Sequence, residues 1–157
     1  MDVYIAGEGY NLPTGFILKE ACIMFSNKEY TQYLFKGGTI GLGENEFKAI
    51  RKAMKTTNKL SFHDGDTSPY QFADALDRYK DYTIYTYSEV MQKYIQHHLP
   101  TTLVINTQDT GLILSDKLPD PGCFRHHPPR FCAKAKVIAI RDFIENNPED
   151  NKDSWTW

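Results

Sequence analysis

Between Gly122 and Cys132 the chain reads Gly-Cys-Phe-Arg-His-His-Pro-Pro-Arg-Phe-Cys, holding two of its three cysteines and two of its five histidines. Cys123 and His126 form a C-x2-H pair, and Cys132 follows across two prolines that stiffen the turn. Thiolate and imidazole donors suit Zn²⁺, which takes four ligands in a tetrahedron when the site is structural. A closed site therefore needs one more ligand from elsewhere in the chain. His127 is an alternative to His126, since either ring can reach a metal from so short a loop. The competing reading is a surface loop that carries these residues without metal.

Other groups carry weaker signals. His63 with Asp64 and Asp66 has divalent-ion chemistry, but a Gly-flanked acidic loop is more often a solvated turn. His97 and His98 close a predicted helix, where cationic side chains suit the dipole. Lys48, Arg51, Lys52 and Lys55 lie along another predicted helix, and Arg125, Arg130, Lys134 and Lys136 surround the Cys/His stretch. Such faces usually just solvate a helix. If they meet RNA, the contacts are to phosphates, salt-sensitive and weakly sequence-selective, with exposed tyrosines available to stack on unpaired bases.

At 157 residues the chain is most simply one domain able to bury a normal core. A formal charge of −2 excludes strong bulk attraction to nucleic acid or anionic membrane, so any such contact must be local. No apolar run approaches the roughly 20 residues of a membrane span, and the N-terminus lacks the regions of a signal peptide. An intracellular protein of the cytoplasm or nucleus is expected. In a reducing compartment a Cys/His cluster holds metal more readily than it forms a disulfide.

The elements that must position these residues follow from pattern. Val3-Tyr4-Ile5-Ala6 is β-like and leads into a Gly-containing segment, 7–10. Phe16–Phe25 is apolar enough for a strand covered on both faces, with Lys19 and Glu20 as its polar interruptions. Simple alternation puts Glu20 on one face with Leu18 and Cys22 and turns Lys19 the other way. Tyr30–Phe35 is a third strand, completing an antiparallel meander. Glu44–Thr56 is an amphipathic helix on Phe47, Ile50 and Met54. Ser68-Pro69 starts a helix over Tyr70–Tyr79, Tyr82–Tyr87 is a fourth strand, and Ser88 caps a helix through His98. Leu103-Val104-Ile105 is a fifth strand, parallel to the fourth across that helix. Cys132–Asn146 is the last helix, and the segment 147–157 is an acidic tail. The expected fold class is α/β: a mixed sheet of three antiparallel strands then two parallel strands, helices on both faces, the strand order of an RNase H-like fold.

The stretch Ile5–Tyr10, Lys19-Glu20, Phe62-x-Asp64-Gly65, and Cys123-x2-His126 with Cys132-Ala133 opening a helix together resemble the Maelstrom-type domain, an RNase H-like relative of DEDD 3′–5′ exonucleases. The resemblance spans about residues 3 to 146, and on it 1–146 is the domain and 147–157 a tail. It implies a Glu-Cys-His-Cys zinc set, carried onto Glu20, Cys123, His126 and Cys132, with Glu8 in the first strand region as a lesser alternative to Glu20. Apart from the resemblance, Cys22 shares a strand face with Glu20 and is a further candidate for the fourth donor, though a buried free cysteine is commonly just core. The resemblance also implies single-stranded RNA binding, or scaffolding of protein partners, in small-RNA (piRNA-type) silencing. The basic residues Lys48, Arg51, Lys52, Lys55, Arg125 and Arg130 are the expected RNA contacts. One departure bears on activity. DEDD enzymes place an Asp-x-Glu pair on the first strand to hold two metal ions about 4 Å apart, and the matching positions here are Ala6 and Glu8. Two-metal catalysis is expected to be lost. The alternatives are an active single-strand-specific ribonuclease and a virus- or transposon-derived protein-interaction module.

Overall fold

The computed structural model describes residues 1–12, 15–35, 44–56, 67–114 and 132–146. Side chains alternate across β1 (Asp2–Leu12), and this determines what covers each face of the sheet. Val3 and Ile5 meet the helices α2 (Pro69–Asp77) and α3 (Glu89–His98) through Phe72, Leu76, Met91 and Ile95. Tyr4 and Ala6 point the other way, into the apolar stripe of α4 (Ala133–Asn146), formed by Ala133, Val137, Ile140 and Ile144. Helices therefore cover both faces, as the sequence predicts. The remaining helix, α1 (Glu44–Thr56), lies against β1 with Ile50 buried.

β1 pairs antiparallel with β2 (Gly15–Phe25), which pairs antiparallel with β3 (Tyr30–Leu34). On its other side β1 runs parallel to β4 (Thr83–Thr86), which runs parallel to β5 (Val104–Asn106). The sheet order is β3-β2-β1-β4-β5. Capping follows the sequence signals. The Ser68 hydroxyl accepts from the Tyr70 amide at 3.2 Å and Gln71 completes the box by accepting from the Ser68 amide at 2.9 Å. Ser88, at φ 94°, accepts from the Met91 amide at 3.2 Å, and Asn106 holds its backbone by accepting the Ser88 amide at 2.9 Å. Among the described residues no helix is long and apolar enough to cross a membrane.

Three details depart from the sequence pattern. First, β1 is longer than the Val3–Ala6 run, continuing through Gly7 and Gly9 because the pairing with β2 carries it. At Gly7 an added Cβ would come within 2.6 Å of the Met91 sulfur, so its absence lets α3 lie directly on the strand. Second, β5 is displaced by one residue, leaving Leu103 62% exposed and Asn106 buried. Third, the β1–β2 register shifts between Glu8 and Gly9: Glu8 opposes Glu20, but Gly9 opposes Leu18, and Lys19 is the extra residue of a β-bulge.

The bulge corrects the alternation read from sequence. Leu18 packs with Ala21 and Ile23 on the α3 face, whereas Glu20 stays with Cys22 on the α4 face. Lys19, 1% exposed, sends its ammonium to the Phe35 carbonyl at 2.5 Å while its own carbonyl accepts the Phe35 amide at 2.9 Å. Gly9 makes this register possible, since a Cβ there would lie 2.0 Å from the Ile17 carbonyl oxygen, a backbone atom that cannot swing aside. Gly9→Ala is expected to lower stability by about 2–3 kcal/mol, at the upper end of overpacking costs, read as a lower urea midpoint. An unchanged midpoint would show that the bulge tolerates a side chain.

Candidate metal and carboxylate site beneath α4

Glu8 and Glu20 occupy directly opposed positions on neighbouring antiparallel strands, so their side chains share the α4 face of the sheet. Both are buried, at 9% and 0% exposure. Like charges directly opposed across strands repel, so each carboxylate needs its own counter-group. The first turn of α4 supplies both. Glu20 Oε1 accepts the Ala133 amide at 2.8 Å, and the Lys136 ammonium forms an ion pair with Glu8 Oε1. The Lys136 amide in turn donates to the Cys132 carbonyl at 3.0 Å, which makes Cys132 the residue at the helix cap.

A carboxylate at a helix N-terminus satisfies an amide that lacks an intrahelical partner and faces the positive end of the dipole. Here it comes from a strand more than a hundred residues away in sequence, so one bond closes β2 onto α4. The other end of the helix is fixed separately. Glu145 Oε1 accepts from the Tyr4 hydroxyl at 2.5 Å and from Ser26 at 2.8 Å, and the Arg141 guanidinium donates to the Ser26 carbonyl at 2.9 and 2.5 Å. Tyr4 stacks on Tyr85 with ring centroids 5.5 Å apart. Burial, followed by the bond to Glu145, pushes the Tyr4 phenol well above its usual range. The Tyr85 phenol is pushed up to about 12 by burial, with Asp2 and Glu145 adding to it.

Of the sequence-predicted zinc ligands, Glu20 and Cys132 are among the described residues. The Glu20 carboxylate bonds the amide immediately following Cys132, and Cys132 is 1% exposed. Cys123 and His126, and the alternative His127, lie outside the described residues, as do Arg125, Arg130, His63, Asp64 and Asp66. Among the described residues no group of three Cys, His, Asp or Glu side chains is arranged to hold a metal. As donor types, carboxylate oxygen and thiolate sulfur together suit Zn²⁺ and not Mg²⁺, which takes oxygen ligands. The hydrogen bond on Glu20 Oε1 is the kind of outer contact that orients a ligating carboxylate. Cys22, two residues along the same face, packs among Tyr4, Met24 and Val137 as core.

On the other side of Glu8 a cavity of about 200 Å³ opens, lined by Glu8, Phe16, Ser88 and Lys136 among others. It lies where β1 parts from β4, beyond the last parallel pair Tyr4–Tyr85, the kind of crevice in which α/β sheets place ligands. Lys48, Arg51 and Lys52 are exposed on α1, Lys48 being 3.9 Å from Glu44 one turn away. Lys55 belongs to the same helix. Sequence pattern had no signal for the role of Lys136 beyond its charge, because its partner is on the opposite end of the chain. No protein-family model and no curated protein matches this chain.

Proposed function

We propose that the chain is a zinc-stapled RNase H-like domain of the Maelstrom type, binding single-stranded RNA or scaffolding partners in small-RNA silencing without two-metal catalysis. The observation that carries this reading is the bond from Glu20 to the Ala133 amide, which ties the strand bearing one proposed ligand to the start of the helix that bears another, Cys132. The sheet order β3-β2-β1-β4-β5, antiparallel in its first half and parallel in its second, supports the fold assignment. In this reading Glu20, Cys123, His126 and Cys132 hold the ion. Bound zinc would act as a cross-link between sheet, loop and last helix, so that binding energy becomes folding energy.

In this reading the loss of hydrolysis lies at Ala6 and Glu8. Ala6, 2% exposed against α4, brings no carboxylate to the position where a paired acid would stand. The Lys136 ammonium sits on Glu8, so a fixed positive charge occupies the neighbourhood a hard cation would need. The chain's residues are then arranged for binding and structure.

Metal analysis of the purified full chain should find about one zinc per chain, and stripping it with chelator should lower the melting temperature. A metal-free chain with unchanged melting would overturn the zinc reading. Labelled single-stranded RNA should be bound and left intact with Mg²⁺ or Mn²⁺ present. Cleavage that disappears in Glu8→Gln would instead establish a nuclease.

A further inference from the structure

The α4 face carries a second feature away from the carboxylates. Between α4 and the turn joining β2 to β3 lies a groove of about 340 Å³. Met24 and Ile138 give it an apolar base. Tyr30, the first residue of the edge strand β3, forms one wall and is 46% exposed. Two ammonium groups stand at it: Lys28, exposed and held at φ 72° in the turn, and Lys134, whose Nζ lies 4.5 Å from the centre of the Tyr30 ring. Arg141 is built into the structure of the groove, donating to the Ser26 carbonyl from the turn and to Asp142 at 3.0 Å. Among the described residues three cations and one carboxylate line the groove, and that carboxylate is engaged by Arg141.

The geometry points to this groove as the seat of an unpaired nucleotide of a single-stranded nucleic acid, its base on Tyr30 and its flanking phosphates on Lys28 and Lys134. The inference rests on the RNA-binding reading above and assigns it a location different from the basic face of α1. An exposed aromatic ring beside ammonium groups is the combination by which single strands are held, since every base has a π face and every linkage a negative charge. A base inside a duplex has both faces covered by its neighbours, so only an unpaired one can stack on a protein ring. The volume lies at the lower end of small-ligand sites, suited to one nucleotide and its sugar. Lys134 rests on the ring through a cation–π contact weaker than base stacking, so an arriving base can displace it toward the phosphate. Charge complementarity is local, because the chain as a whole carries −2 and would otherwise repel a polyanion.

The test is fluorescence anisotropy of a short labelled oligouridine with the full-length chain, supplemented by 2-aminopurine in place of one base. Tyr30→Ala should weaken binding about tenfold and relieve the 2-aminopurine quenching that stacking produces, while Tyr30→Phe retains both. The double substitution Lys28→Gln, Lys134→Gln should weaken binding and reduce the salt slope by about 0.7 per lost phosphate contact. Duplex RNA should compete poorly. Wild-type affinity and quenching in Tyr30→Ala, with binding lost in Lys48→Gln, Arg51→Gln, Lys52→Gln, would overturn the groove and leave RNA binding standing. Absence of binding by the unaltered chain would remove both. Tyr30 and Lys28 are exposed, so circular dichroism melts of these variants should match the parent.

Discussion

Lys136→Met is expected to destabilise the fold by about 3 kcal/mol, the lower part of the range for removing one partner of a buried ion pair. The lower part applies because the pair is only partly sealed, with side-chain exposures of 20% for Lys136 and 10% for Glu8. The loss comes chiefly from what remains. Glu8 is anchored on a strand and directly faces Glu20, so without the ammonium two opposed carboxylates lie under an apolar helix. The reverse substitution, Glu8→Gln, should cost less, since a lysine on a four-carbon stem can turn its head to solvent. The double variant Glu8→Gln, Lys136→Met should recover most of the stability. Urea unfolding of the four proteins gives the cycle, and a single-variant loss below about 1 kcal/mol, or no recovery, would show that the pair is not a structural contact.

The second large effect is at Glu20. Glu20→Ala removes the acceptor for the Ala133 amide, leaves that donor buried, and takes a negative charge from the helix N-terminus. A charge-assisted bond of this kind contributes about 1.5–3 kcal/mol, and loss of a zinc ligand would add to it. Glu20→Gln separates the two contributions, because the amide oxygen still accepts from Ala133 but is a poor metal ligand. With chelator present, Glu20→Gln should melt near the unaltered chain and Glu20→Ala well below it. Without chelator, Glu20→Gln should lose zinc and fall as well. If Glu20→Gln keeps its zinc and its melting temperature, Glu20 caps the helix without touching metal.

Both experiments probe contacts between the start of the chain and its last helix, and that separation explains what a linear reading could and could not recover. Tyr30–Leu34, the Ser68-Pro69 helix start and the Ser88 cap were legible, because strand propensity and capping depend on residues within a few positions of one another. The apolar stripe of α4 was legible for the same reason. Glu20 could be singled out as a strand carboxylate in need of a partner, but the partner could not be found by pattern, since it is a backbone amide 113 residues later.

By itself the sequence determined the types and order of the elements, the meander followed by parallel strands, and the stretch in which Cys and His residues are concentrated. Only the tertiary structure decided the β-bulge at Lys19, which turns Leu18 away from Glu20 and brings Glu20 level with Glu8. It alone joined Glu8 to Lys136 and set Tyr30 beside Lys134. Periodicity is a property of neighbouring residues, whereas register and helix docking are chosen by the packing of surfaces far apart in the chain.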